Sequence, residues 1–203
     1  MKNERKQAQR KEAILDAFDA LIKKFGIDKT TMQEIASEVG ISVGTLYNDF
    51  ADKEALIDAM VDRLEASANA RINAIKFSSA APNEQMAEFL KAIERLIEHI
   101  VRDNRSLADY ILYGSQKFRY VGKKIHEGFS KHQVVDNKMR TIIEAGVKQG
   151  IFKVEDPAAI SAAISQGFMS LSVTRLLMNQ KEDKETKRNW EIMMDLLLRG
   201  LRK

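Results

Sequence analysis

Hydrophobic residues recur every three to four positions along most of the chain, which is the spacing of amphipathic α-helices. The first such helix is predicted from about Gln9 to Phe25, and Gly26 ends it. Further helices are predicted over about 53–76, 83–102, 104 or 106 to 114, 116–150 (less regular, ended by Gly150), 157–174 (capped by Asp156) and 184–201. Only two of the 203 residues are proline, so few helix breakers interrupt these runs. The pattern predicts an all-α fold.

The stretch from Thr31 to Lys53 predicts two short helices joined by a tight turn. Thr31 and Glu34 have the spacing of a capping box, which opens the first helix. Gly40 lies where that helix must end with a positive φ, and Ser42 is a favourable N-cap for the second. Two short helices around such a turn describe a helix-turn-helix, whose second helix enters the DNA major groove.

Charge is concentrated at the start of the chain. The net charge is +4, but residues 1–53 hold nine basic and nine acidic side chains, which balance. Residues 1–11, in contrast, hold five basic side chains against Glu4 alone. We interpret this segment as a basic arm that contacts DNA phosphates through Arg5, Lys6 and Arg10. The alternative is a solvated, frayed terminus.

Three segments together resemble the DNA-binding domain of the TetR family of bacterial transcriptional regulators. They read ILDAFDALIKKFG, TTMQEIASEVGIS and VGTLYNDFADKEAL, and the pattern from Thr45 to Leu56 is the most specific. The resemblance implies a homodimer that binds a near-palindromic operator, usually as a repressor, and releases it when a small molecule binds the C-terminal domain. It implies a DNA-binding domain over 1–52 and a ligand-binding and dimerisation domain over 53–203. The helix over about 53–76 is then a lever, or else a passive connector.

The candidate DNA contacts follow from side-chain chemistry and this resemblance. Thr31 lies at a helix N-terminus that favours an anion, and Lys53 offers a charge to phosphate. Tyr47 is expected to contact DNA, although an aromatic core residue with an outward hydroxyl is the alternative. Gly44 lets the helix approach the groove closely. The remaining candidates are Ser42, Val43 (equally a half-buried residue), Thr45 and Asn48, and no Arg or Lys lies between Ser42 and Asp52 to read guanine.

The two last helices predict a dimer interface. Residues 158–174 contain no charge, but six of these seventeen residues are Ser, Gln or Thr, which favours a buried helix over a membrane span. The last helix has Ile192 and Leu196 outside its apolar stripe, so it needs a second partner. That partner is another subunit or, alternatively, a larger core of a monomer. The predicted interface residues are Ile160, Ile164, Gly167, Phe168, Leu171, Trp190, Met193, Met194 and Leu197.

The middle helices carry aromatic and polar residues that are candidates for an effector pocket: Phe89, Tyr110, Tyr113, Phe118, His126, Phe129 and Gln166. The alternative is that the aromatic residues only fill the core. The three His residues lack metal-like partners and there is no Cys, so we expect no metal and no cofactor. No phosphate-binding loop or nucleophile motif indicates an enzyme. The first residues lack the apolar run of a signal peptide, and we expect a cytoplasmic protein.

Overall fold

The computed structural model describes residues 2–78, 80–113, 133–177 and 184–201, and the regular elements within those ranges are all α-helices. The predicted all-α fold is confirmed. The helices are α1 (Lys2–Phe25), α2 (Met32–Val39), α3 (Val43–Asp49), α4 (Lys53–Asn73), α5 (Pro82–Asp103), α6 (Arg105–Tyr113), α7 (Gln133–Lys148), α8 (Pro157–Leu177) and α9 (Lys184–Leu201).

The described chain divides into two compact units. The first comprises residues 1–67 and 104–115, and the second comprises 68–103 and 116–203. The division therefore falls inside α4, between Ser67 and Ala68. The predicted boundary between residues 52 and 53 separates functions, which a division into compact units does not test, and it stays a prediction.

The first unit is built on the small core that the helical pattern predicted for the helix-turn-helix. Phe18 of α1, Ile35 of α2 and Leu46 of α3 are all 0% exposed. Leu56 and Met60 of α4 are also buried, and α6 packs against α1. The short helices α2 and α3 are thus held by tertiary packing, because isolated helices of this length are unstable in water.

Helix α1 is longer than predicted. It begins at Lys2, so the basic segment is part of the helix and not an irregular arm. The hydrophobic pattern did not show this because residues 2–12 are polar on every side. Those residues are nonetheless good helix formers, with Glu4 in the first turn where it complements the helix dipole.

The second unit is centred on α5, which packs against α7, α8 and α9. Its buried stripe follows the predicted spacing, with Met86, Phe89, Leu90, Ile93, Leu96 and Ile97 all in the core. The predicted helix boundaries that follow are also confirmed. Gly150 ends α7 with a φ of 68°, and the Asp156 carboxylate accepts hydrogen bonds from the first free amides of α8.

Lys138 of α7 caps the end of α4, which stops at Asn73 and not at the predicted residue 76. Its ammonium donates hydrogen bonds of 3.0, 3.1 and 2.8 Å to the carbonyls of Ile72, Asn73 and Ile75. Carbonyls at a helix C-terminus lack intrahelical partners and favour a cation. The residue that stabilises this helix end is therefore supplied from more than sixty positions away.

Replacing Lys138 by methionine keeps the length of the side chain but removes all three hydrogen bonds. We expect the free energy of unfolding to fall by about 1.5 kcal/mol, the lower end for hydrogen bonds to a charged group, because water can replace part of the set. Urea unfolding of Lys138→Met and of Lys148→Met, an exposed lysine of the same helix, would measure the difference. Equal stabilities of the two variants would contradict the capping role.

Candidate functional site

The turn between α2 and α3 has the geometry that its sequence predicted. The Thr31 hydroxyl accepts from the Glu34 amide, and the Glu34 carboxylate accepts from the Thr31 amide, which completes the capping box. Gly40 has a φ of 74°, a left-handed conformation that favours glycine. The Ser42 hydroxyl accepts from the Thr45 amide at 3.1 Å. These local bonds stabilise the turn and the first residues of α3.

Helix α3 has one buried side and one exposed side, as predicted. Leu46 and, just after the helix, Phe50 are 0% and 7% exposed and anchor α3 in the core. Tyr47 is 47% exposed, and Gly44 and Asn48 are also exposed. The remaining two predicted base-reading residues, Val43 and Thr45, are half-buried. The exposed side therefore presents a phenol, an amide and bare backbone.

The protein itself leaves room for a side chain at Gly44. A Cβ atom placed there would meet only the Ser42 hydroxyl, at an ordinary contact distance of 3.9 Å. Its φ is also not in the left-handed range. Since glycine destabilises a helix by roughly 1 kcal/mol relative to alanine, the free protein has no structural need for it. The predicted role of Gly44, a close approach of α3 to the DNA groove, stays a prediction.

The predicted phosphate contacts Thr31 and Lys53 have partners within the protein. The Thr31 amide and hydroxyl both donate to the Glu34 carboxylate at 2.8 Å, and these bonds lower the pKa of Glu34, the amide contributing most. The Lys53 ammonium donates to the Ile27 and Thr30 carbonyls at 2.9 and 3.1 Å. Sequence reasoning missed this internal role of Lys53. One ammonium proton remains for a phosphate, and that contact stays a prediction.

Of the three predicted contacts in the basic segment at residues 1–11, Arg5 and Lys6 are exposed on α1, whereas Arg10 is hydrogen-bonded within the protein. Arg10 Nε and Nη2 donate to the two Asp49 carboxylate oxygens at 2.5 and 3.0 Å. Gln7 Nε2 donates to the same carboxylate at 3.1 Å. Arg10 foremost, and then Gln7, hold the pKa of Asp49 below its ordinary value. Sequence reasoning missed Asp49 and Gln7, although an acid at a helix C-terminus is an unfavourable placement that signals a partner.

The predicted effector residues do not form one described site. Phe89 is 0% exposed in the core of the second unit, Gln166 is exposed on α8, and Tyr110 of α6 is half-buried. Tyr113 is on α6, but the structure does not describe its side chain. Phe118, His126 and Phe129 lie outside the described residues. The pocket therefore stays a prediction.

The predicted dimer residues divide by exposure. Ile160 is 37% exposed and Gly167 is exposed, whereas Phe168 and Met194 are buried in the core of the second unit. The half-buried members are Ile164, Met193 and Leu197. The structure does not describe the side chains of Leu171 on α8 and Trp190 on α9.

Comparison with known proteins decides the family of this helix-turn-helix. The family profile described as "Bacterial regulatory proteins, tetR family" matches residues 14–60, which run from α1 into α4. The protein is a transcriptional regulator of the TetR family. This family is a class of DNA-binding regulators and not a class of enzymes, and the matched residues include both α2 and α3.

Relatives of this TetR-family protein match most of the chain. The transcriptional repressor KstR2 of Mycobacterium tuberculosis is 26% identical over 71% of this chain and 70% of its own length. The nucleoid occlusion factor SlmA of Colwellia psychrerythraea is 24% identical over 95% and 96%. A TetR-family regulator structure from Pectobacterium atrosepticum has 18% identity, covers 97% and 96%, and superposes with a TM-score of 0.69. That superposition shows a shared fold. None of the described helices is both long and apolar enough to cross a membrane.

Proposed function

We propose that this TetR-family protein is a cytoplasmic repressor without enzymatic activity. It binds a near-palindromic operator as a homodimer and leaves the operator when a small molecule binds. The observation that carries the DNA part is the exposed side of α3, on which Tyr47 is 47% exposed. An exposed phenol on the polar side of a short helix adds little to the core, which supports contact with a partner as its role.

The DNA contacts divide into positioning and reading groups. Arg5, Lys6, Thr31 and Lys53 are proposed to face phosphates. Gly44 allows a close approach of α3, and Tyr47 and Asn48 read base edges, with support from Ser42, Val43 and Thr45. Since α3 contains no Arg or Lys, binding energy from charge comes from outside this helix, and we expect it to weaken as salt rises.

The homodimer is supported by the surface of α8 and α9. Within the charge-free residues 158–174 of α8, the exposed positions include Ile160, Ala163 and Gly167, which follow helical spacing along one side. On α9, Ile192 is 47% exposed and Leu196 is 63% exposed, one turn apart. Large apolar side chains exposed together mark a protein interface more often than a solvated surface. Two helices from each subunit would form an isologous four-helix contact.

Release by an effector is supported by the family and by the course of α4, which crosses from the first compact unit into the second. In this mechanism the effector prefers a conformation in which α4 is displaced. Displacement changes the distance between the two recognition helices, which DNA holds at about one helical turn, roughly 34 Å, or a multiple of it. By linkage, DNA then weakens effector binding by the same factor.

Replacing Tyr47 by alanine is expected to weaken operator binding about ten-fold, in line with loss of one good base or stacking contact of about 1–3 kcal/mol. The dimer should persist, because Tyr47 is remote in sequence from the proposed interface. Electrophoretic mobility shifts against the DNA upstream of the gene, at two salt concentrations, and size-exclusion chromatography would measure both quantities.

Wild-type binding that does not change with salt would contradict the phosphate contacts. An equal shift by the Tyr47→Ala protein would favour a helical interaction protein that merely contains a helix-turn-helix. Transcription from the bound promoter, with and without the protein, distinguishes a repressor from the alternative, an activator that uses the same motif.

A further inference from the structure

The Asp49 carboxylate occupies an unfavourable position that its partners must offset. It is the last residue of α3, where the helix dipole is negative and disfavours an acid. Its side chain is also 0% exposed, so an unpaired charge there would lose its hydration. Three hydrogen bonds from α1 satisfy it, two from Arg10 and one from Gln7. The buried Asp49 carboxylate therefore depends on the contact between α1 and α3 for its partners.

Asp49 lies beside the buried side of α3, so a bond to Asp49 affects the direction in which the exposed side of α3 points. Leu46 is the one apolar residue within α3 that is fully buried, and Phe50 continues its line just after the helix. In an α-helix, Asp49 lies about 60° to one side of Leu46 and Tyr47 about 100° to the other side. Apolar contacts are non-directional, so these two anchors oppose rotation of α3 about that line less than a directional bond does. The bond to Asp49 opposes this motion, because the planar guanidinium holds both carboxylate oxygens at fixed angles.

We propose that Arg10 and Asp49 form a clamp that orients α3 for base recognition, so that Arg10 is a positioning residue and not a phosphate ligand. The inference rests on the proposed reading of DNA by α3. It replaces the predicted phosphate contact of Arg10, because Nε and Nη2, which form one edge of the guanidinium, already hold Asp49. Arg5 and Lys6 keep their proposed phosphate contacts.

The Asp49→Asn variant separates the clamp from simple electrostatics. Removing a negative charge from a DNA-binding unit should strengthen binding to the DNA polyanion if only charge matters. The clamp requires the opposite result, because an amide accepts fewer hydrogen bonds and turns a donor toward the guanidinium. Glu38→Gln, at an exposed carboxylate of α2, is the matched control for loss of one negative charge.

The probe is a labelled duplex that the wild-type protein selects from a random-sequence library, with a shuffled duplex of the same composition as the non-specific reference. Fluorescence anisotropy gives both dissociation constants. We expect Asp49→Asn to weaken binding to the selected duplex about ten-fold and to leave binding to the shuffled duplex within two-fold of wild type. A change that only lowered the folded fraction would weaken both. Binding of Asp49→Asn to the selected duplex as tight as that of wild type overturns the clamp.

Two substitutions of Arg10 provide a second test that does not depend on Asp49→Asn folding. Arg10→Lys keeps the charge but loses the two-pronged fork, so the clamp predicts at least three-fold weaker specific binding. Arg10→Gln should weaken specific binding further, with the slope of log Kd against log salt unchanged. A slope reduced by about 0.9 would mean that Arg10 contacts a phosphate, and would overturn the proposal. Full binding by Arg10→Lys would also overturn it.

The outcomes keep the clamp and the regulator function distinct. If the library yields no enriched duplex, DNA reading by α3 fails, and the clamp fails with it. If a duplex is enriched and Tyr47→Ala loses it while Asp49→Asn and Arg10→Lys retain it, the regulator function stands and the clamp alone is wrong. If all three lose the selected duplex and keep the shuffled one, both are supported.

Discussion

Replacing Phe89 by alanine is expected to lower the free energy of unfolding by about 3–5 kcal/mol, the usual cost of truncating a buried phenylalanine. Phe89 is 0% exposed and lies at the centre of the α5 stripe. Its ring also meets the Phe77 ring edge to face, with the two centroids 6.3 Å apart and the planes at 81°. The truncation loses the transfer energy of the ring and leaves a cavity that its neighbours fill only partly.

Urea unfolding monitored by circular dichroism measures this loss, and Phe25→Ala provides the matched control. Phe25 undergoes the same chemical change but is 46% exposed, so its loss should stay within about 0.5 kcal/mol, as for other surface substitutions. A loss below about 1.5 kcal/mol for Phe89→Ala would contradict a purely structural role. It would instead favour the alternative that this ring lines an effector pocket, in which truncation removes fewer contacts.

Replacing Gly146 by alanine is expected to lower the free energy of unfolding by about 2 kcal/mol, within the range for overpacked cores. A Cβ atom on Gly146 would lie 2.1, 2.5 and 2.7 Å from three carbons of the Phe152 ring. The ring is 3% exposed and belongs to the core of the second unit, so it has little room to move. This clash outweighs the roughly 0.5–1 kcal/mol that alanine normally contributes over glycine inside a helix.

A double-mutant cycle with Phe152→Leu would isolate this contact. In the Phe152→Leu background the ring is absent, so adding Gly146→Ala should cost much less or become stabilising. Gly200→Ala is the control for helix propensity, because a Cβ atom there would meet nothing within 4 Å. The same loss from Gly146→Ala in both backgrounds would show that the Phe152 ring is not its cause.

The features that could be predicted from sequence are those whose partners lie within a few residues. The capping box of Thr31 with Glu34, the left-handed Gly40 and the Asp156 cap of α8 were all expected and are all present. Each is satisfied by backbone groups two to five positions away, so a short window of sequence contains both partners. The buried stripes of α1 and α5 were predictable for the same reason, since helical period alone sets which side chains share a face.

The features that were missed join residues far apart in the chain. Arg10 and Asp49 are 39 positions apart, and Lys53 and Ile27 are 26 apart. Arg10 and Lys53 were predicted to contact phosphate, because a sequence does not show whether a charged side chain is exposed or already paired inside the protein. The extent of α1 was missed for a different reason: its first turns lack an apolar side, so periodicity carried no signal there.

The sequence by itself determined that this chain forms helices, where most of them begin and end, and that α2 and α3 make a helix-turn-helix of the TetR family. These properties depend on local hydrogen bonds and on the period of apolar residues. Only the tertiary structure decided which charged groups are hydrogen-bonded inside the protein. Arg10 binds Asp49, Lys53 binds carbonyls of the loop before α2, and Lys138 binds carbonyls at the end of α4. A charge finds such partners only when packing brings distant segments together, and the apolar cores of the two units create that packing.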